Sequence, residues 1–512
     1  MATSGYDGLI IRGRASTPVY LALVDGKPEL HDAGCLWGQD TGETEARLRD
    51  EYPGAKICSI GQAGENGVVA ACIVNDYNRV TGRPGFGAVM GSKNLKAVVV
   101  RGSTQKAIAD RIALRKGIQA FTKALMEARG GLKEFGTAAT LWALNRDGIL
   151  PTANFQRGTF EQVEAISPDA LQQILVGRDN CTACPVHCKR VVKTRFGDEA
   201  VIERYGGPEY ETIAAFGSNC LNGDLASIAL ANQRCNMYGL DTISAGNIIA
   251  FLMECVEKRG LGLDLRWGDG KAILNMIDRI AFRRDIGDVA AHGLDHLARA
   301  LHAEDLAVSI KGQEVPMHDP RGKTAFALDY ATTPRGGQHN EGIHDAPQLQ
   351  SEPIAAELGV TEPMDRFEWE GKPRVAKIFG DLRSFTNSLI MCEFTNITSG
   401  NSYNMHLVRA LLESVIGAAV TAESMLTIGE RNYVLLKIHS ARCGYTRADD
   451  GLPPRLKVPL PEGASAGRPI VEEVLQAKVD EYYELRGFDK WGPTDKKLTE
   501  LGLGELSGMI TR

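Results

Sequence analysis

Three cysteines, Cys181, Cys184 and Cys188, fall inside the run CTACPVHC. Thiolates are soft ligands, and gaps of two and three residues let one turn of loop aim successive sulfurs at a single metal centre, as in proteins that hold [4Fe-4S] clusters. The spacing points to an iron-sulfur cluster whose fourth ligand lies elsewhere in the chain. The competing readings are a zinc knob or three unrelated core cysteines. Structural zinc sites usually present two separated Cys/His pairs, and no second pair of suitable spacing exists here. His187, between the thiols, reads as a decoy.

The composition bounds what surrounds such a centre. The 512 residues suffice for two to four domains, and 43% hydrophobic with 6% aromatic content is ordinary for an enzyme core. A net charge of -6 without runs of like charge argues against nucleic acid. No apolar stretch is long enough to span a bilayer and no signal peptide opens the chain, so a cytoplasmic location is expected. The cysteine count of 11 is odd, which speaks against a disulfide framework.

Two kinds of element must position the chemistry. YDGLIIRG, PVYLALVDGKPEL and LKAVVVRG read as strands cut by Gly and Asp-Gly turns. From Arg111 the periodicity becomes helical, in ADRIALRKGIQAFTKALMEARGG, GDLASIALANQRCNMYGL and AGNIIAFLMECVEKRGL. The fold class expected is α+β: a β-rich domain over 1–105, a helical domain over 106–310 carrying the cysteine motif, and a helical domain over 311–512. The Gly/Pro/Asp-rich interval EVPMHDPRGKTAFALDYATTPRGGQHNEGIHDAPQ reads as a long structureless stretch lining a site.

The chain resembles the tungsten-dependent aldehyde ferredoxin oxidoreductase family. YDGLIIRGRASTPVYLALVDGKPEL, IGQAGENGVVAACIVND, GRPGFGAVMGSKNLKAVVVRG, CTACPVHC, GGPEYETIAAFGS, NMYGLDTIS, TRADDGLPPRL and GFDKWGPTDKKLTELGL match segments that the family carries in this order. The resemblance implies a tungsten or molybdenum ion held by two pterins beside a [4Fe-4S] cluster, a bridging Mg2+, oxidation of aldehydes to carboxylic acids, and ferredoxin as electron partner. The alternatives it leaves open are the active-site subunit of an ATP-independent aromatic acyl-CoA reductase, and a non-catalytic relic that binds only the cluster. The family carries a further segment ahead of YDGLIIRG, so a homo-oligomer, or a hetero-oligomer with a subunit supplying that segment, is expected.

The resemblance also assigns residues. Cys392 would be the fourth cluster ligand; the family's Asp-x-x-Gly-Leu-Cys motif becomes Asn387, Ile390 and Met391 before it, and Asn387 would meet a pterin. Asn236, Gly239 and Asp241 would grip the other pterin, while by pattern alone Gly239 is a helix C-cap and Asp241 an N-cap. Arg83, Pro84 and Gly85 would cradle pterin phosphates, with Lys93 and Lys96 following; a turn cluster between strands is the plainer reading. Glu209, ahead of Glu211, is the expected base and His339, ahead of His318 and His344, the expected carbonyl partner. Pro208 as the first helical residue, with two carboxylates in the first turn, is the alternative.

Overall fold

A computed structural model describes residues 1–345, 356–396 and 405–510. Val19–Val24 (β1) and Lys27–Asp32 (β2) form a hairpin whose turn, Asp25-Gly26, holds both residues at positive φ, 50° and 81°. That turn matches the twist of the strands, and Gly takes the left-handed position without strain. Lys56–Ser59 (β3), Ile73–Asn75 (β4), Arg79–Thr81 (β5) and Leu95–Arg101 (β6) complete a six-stranded sheet in the order β2-β1-β6-β3-β4-β5. Only the β1/β6 pair is parallel.

Tyr6–Gly13 is not a strand, contrary to its apolar pattern. Both sides of β1 are occupied, by β2 and β6, and this segment pairs with neither edge strand of the sheet; Ile10 is 85% exposed. Backbone hydrogen bonds to a neighbour, not apolar content, make a strand.

The expected helices form at Arg111–Ala128, Leu225–Tyr238 and Thr242–Arg259, with side-chain caps from Asp110, Asp224 and Asp241. Helices dominate after Arg111, but Leu175–Asp179 (β7) and Lys189–Val192 (β8) form an antiparallel hairpin whose connection is the cysteine run. The interval from Glu314 onward is not structureless: it contains the helix Thr324–Thr332, buried along its whole length. Its Gly and Pro residues bound a core helix, because burial of Phe326, Leu328 and Tyr330 outweighs the weak helical propensity around it. One hydrophobic cluster runs from Ala63 to Ile510, and a separate one lies under the sheet around Tyr20, Leu48 and Val99.

Candidate active site

The hairpin β7/β8 delivers Cys181, Cys184 and Cys188 on one loop. Ala183 and His187 turn it through left-handed conformations, φ 59° and 53°, and Cys184 N donates to Cys181 O at 2.9 Å. Asn180 Nδ2 fixes the loop from below by donating to Cys184 O at 2.8 Å. Burial pushes the Cys188 thiol up to about 12, Glu209 adds to the rise, Lys189 opposes it, and Cys392 and Cys181 add smaller increments. The Cys392 thiol is raised by burial first, then by Cys181 and Cys184. The four sulfurs therefore share one electrostatic neighbourhood, although Cys392 lies more than 200 residues from the loop. Cys255 is buried in the Thr242–Arg259 helix, apart from them. A set of four soft thiols fits an iron-sulfur cluster.

The two carboxylates of GGPEYET point to different partners. Glu209 is the N-cap of the Tyr210–Phe216 helix, so Pro208 precedes the cap and is not the first helical residue. Its carboxylate lies 3.0 Å from Lys189 Nζ and accepts from Thr137 Oγ1, beside Cys188. Glu211 instead lies 3.1 Å from His318 Nε2 and 3.7 Å from His339 Nε2, and accepts from Met317 N at 2.9 Å. Glu209, the expected base, is thus placed with the cysteine loop, and Glu211 with the histidines. Residues two apart at a helix start diverge by roughly half a turn, which separates them.

His318 and His339 stack with ring centroids 5.3 Å apart, and His344 meets His318 edge-on at 4.7 Å. The three histidines chosen between in the sequence form one cluster. Burial lowers the His339 imidazole to about 4 against the opposing pull of Glu211, and drives His318 and His344 well below the ordinary value. The Nδ1 atoms of His318 and His339 are buried without a hydrogen-bond partner. Unpaired buried polar atoms are costly, so such a concentration marks a place built for a ligand.

The residues expected to cradle phosphates adjoin this cluster. Arg83 Nε is 3.7 Å from Asp241 Oδ2, its Nη2 donates to Glu314 O, and Nη1 is buried without a partner. Pro84 follows, and Gly85 caps the Phe86–Ser92 helix at φ 94°; a Cβ there would stand 2.0 Å from Val69 O. Asp241 does what its pattern predicts, accepting from Ser244 N at 2.8 Å, while burial raises its carboxyl against Arg83. Gly239 closes the preceding helix at φ 64°, and Asn236 Nδ2 donates to Tyr205 O at 3.1 Å. The cap reading holds for both Gly239 and Asp241, and Asp241 also faces Arg83.

The lysines that follow the glycine loop are engaged elsewhere. Lys96 is fully buried against Glu65 and Gln39 O, and Lys93 reaches Gly13 O at 3.2 Å, so neither lysine serves the glycine loop. Asn387 is exposed on the last turn of the Lys372–Ser388 helix. Ile390, three residues on, is 94% exposed at φ 58°. The sequence reading also passed over Arg79, whose Nη2 donates to Asp179 Oδ2 at 2.9 Å at the root of the cysteine loop; β5 offered no motif to announce it.

A β-rich amino-terminal unit followed by helices, with four cysteines beside a buried Glu-His-Arg site, defines a redox enzyme of the aldehyde ferredoxin oxidoreductase type. The family description for the N-terminal domain of aldehyde ferredoxin oxidoreductase matches residues 1–102, and that for its domains 2 and 3 matches 113–503. The chain is 37% identical to the tungsten-containing aldehyde ferredoxin oxidoreductase of Pyrococcus furiosus, over 98% of this chain and 83% of that protein. The protein of the same description from Thermococcus kodakarensis is likewise 37% identical over the same shares. The active site complex BamBC of benzoyl coenzyme A reductase has the same fold, with a TM-score of 0.80 and 23% identity over 98% of this chain and 82% of that one. The chain belongs to the aldehyde ferredoxin oxidoreductase family. Among the described residues no helix is long and apolar enough to cross a membrane.

Proposed function

We propose that the protein oxidises aldehydes to carboxylic acids, RCHO + H2O → RCOOH + 2 H+ + 2 e−, and delivers the electrons to a ferredoxin-class carrier. The observation that carries this reading is the placement of Glu211 between His318 and His339 while Glu209, two residues earlier, faces the cysteine loop. A tungsten or molybdenum ion held by two pterins would supply the two-electron chemistry, and a [4Fe-4S] cluster would relay the electrons singly. Cys181, Cys184, Cys188 and Cys392 would hold the cluster. Arg83 and the Pro84-Gly85 turn would bind pterin phosphates, and the unpaired Arg83 Nη1 and the buried carboxylate of Asp241 offer one donor and one acceptor there.

Around the aldehyde the chain's own groups do acid-base work. Glu211 takes the proton of the attacking water, because its oxygen already lies within reach of two imidazoles that share the charge. His339 and His318 are held neutral by burial, so each keeps one ring nitrogen able to accept a proton and one able to donate to the carbonyl oxygen. Tyr210 fixes the floor by donating to Met317 O, next to the amide that binds Glu211.

The second reading, reduction of an aromatic acyl-CoA thioester, draws on one feature: Asn387, Ile390 and Met391 replace the family's Asp, Gly and Leu ahead of Cys392. Anaerobic purification followed by metal analysis and turnover with aldehydes, using a viologen dye as acceptor, tests both. Tungsten or molybdenum with iron and aldehyde oxidation supports the first reading. The same metals with activity only toward acyl-CoA thioesters supports the second, and iron alone overturns both.

A further inference from the structure

Three segments of the chain bring one ligand-type atom each to a common point. Glu211 comes from the first turn of the Tyr210–Phe216 helix, His318 from the stretch ahead of the Thr324–Thr332 helix, and His339 from the chain that follows it. One atom of each lies within 4.8 Å of the other two. Glu211 Oε1 is 3.1 Å from His318 Nε2 and 3.7 Å from His339 Nε2. These distances bracket the edge of about 3.4 Å that a tetrahedral zinc centre, with bonds of about 2.0–2.1 Å, sets between its ligands. The surroundings hold the three groups without using them up. Glu211 Oε2 accepts from Met317 N at 2.9 Å, while Oε1 is buried and accepts no hydrogen bond. His318 is 8% exposed, and its ring packs against Tyr210 and Phe326 at centroid distances of 5.2 Å and 6.1 Å. His344 is not part of the set, because its Nε2 is taken by His339 O at 2.9 Å.

We infer that Glu211, His318 and His339 form a binding site for one divalent cation of the Zn2+ class, and that this cation competes with the aldehyde for the acid-base cluster. The competition rests on the aldehyde-oxidation reading; the binding does not. Two imidazoles and one carboxylate select a borderline cation over Mg2+ or Ca2+, which prefer oxygen alone. Three protein ligands leave a fourth position open, as in zinc sites that keep a water. The same geometry limits the affinity. A ligating histidine ordinarily donates its other ring nitrogen to an acceptor, and loss of such a partner costs about 10–100-fold in affinity. The Nδ1 atoms of His318 and His339 have no such partner, so the cation exchanges and acts as a reversible inhibitor rather than a permanent structural ion.

The test uses the full chain, purified anaerobically and dialysed to equilibrium against Zn2+. Bound zinc, the zinc-edge X-ray absorption spectrum and aldehyde turnover are the readouts. The expected result is one zinc per chain in a shell of nitrogen and oxygen at about 2.0–2.1 Å without sulfur, and inhibition that added aldehyde relieves. His318→Gln and His339→Gln should each weaken zinc binding by more than about 100-fold, since a direct ligand matters more than an outer partner. Sulfur in the parental shell places the zinc on the cysteine loop, or on Cys443 beside His439, and overturns the inference without recourse to any variant. Parental zinc affinity in either variant also overturns it, as does inhibition that aldehyde leaves unrelieved. A parent that oxidises aldehydes but binds no zinc overturns the inference alone. A parent that binds zinc through nitrogen and oxygen but oxidises no aldehyde keeps the site and overturns the aldehyde reading.

Discussion

Glu209 and Glu211, separated by Tyr210 alone, serve two different neighbourhoods: Glu209 pairs with Lys189 at 3.0 Å beside Cys188, and Glu211 lies 3.1 Å from His318. The first turn of one short helix therefore sets the spacing between the thiol centre and the acid-base cluster. A shift of this helix would move both at once, and the burial of its own Ile213, Ala214 and Phe216 resists such a shift.

The two carboxylates should separate in mutant kinetics. Glu211→Gln keeps shape and hydrogen bonding but removes the base, so turnover should fall by about 10²-fold to 10⁴-fold with iron and tungsten retained. Glu209→Gln breaks the pair with Lys189, and its effect should appear in the cluster's spectrum with a smaller loss of turnover. Steady-state rates and metal content on both variants check this, and a Glu209→Gln variant that loses more turnover than Glu211→Gln reverses the assignment.

Replacing Cys184 by Ser should bleach the broad visible absorption and release iron, because an alkoxide poorly replaces a soft thiolate. Cys255→Ser should retain iron, since that residue packs in a helix away from the loop. Equal iron in both variants would mean that the loop holds no cluster.

The buried histidines predict acid sensitivity. His339 titrates at about 4 in the folded chain, below the ordinary imidazole value near 6.5, because burial disfavours its cation. Between those two values the unfolded chain binds a proton that the folded chain refuses. Stability therefore rises with pH across the window and is lost as pH falls, by about 3 kcal/mol for His339 at the acid end. Urea unfolding midpoints at pH 7 and pH 5 should differ less in His339→Asn than in the parent.

Ile390 occupies a conformation that a branched residue adopts at a cost of about 1–2 kcal/mol. Glycine would remove that strain and reintroduce about 0.5–1 kcal/mol of unfolded-chain entropy, so Ile390→Gly should stabilise the chain by up to about 1 kcal/mol. Ile390→Ala keeps the strain and should not. Thermal unfolding of the pair distinguishes the backbone from the exposed side chain, and equal midpoints would mean that φ 58° carries no cost here.

Asp450 is buried between two lysines, 2.8 Å from Lys311 Nζ and 3.3 Å from Lys437 Nζ, and accepts from Tyr483 at 2.6 Å. Burial already lowers Lys437 to about 8. Asp450→Asn leaves both ammonium groups uncompensated and should cost about 3–5 kcal/mol. Calorimetry measures it, and a cost below about 1 kcal/mol would show that water relieves the pair.

The sequence by itself determined what depends on neighbours along the chain. Asp25-Gly26 makes the β1/β2 hairpin, Asp224 and Asp241 cap their helices through amides two or three residues on, and the cysteine spacing places three sulfurs on one loop, because each is a short-range geometric consequence of residue type. The family resemblance was legible in the same motifs. Tertiary packing decided the rest. Leu9, Ile10 and Ile11 had the pattern of a strand but pair with no strand of the sheet, and Lys96, which follows a glycine loop, is taken by Glu65. Which of Glu209 and Glu211 meets the histidines, and that Arg79 reaches Asp179 at the root of the cysteine loop, depend on chain separations of about a hundred residues, where direction is set by the packing of the Tyr210–Phe216 helix and the sheet edge rather than by any local periodicity.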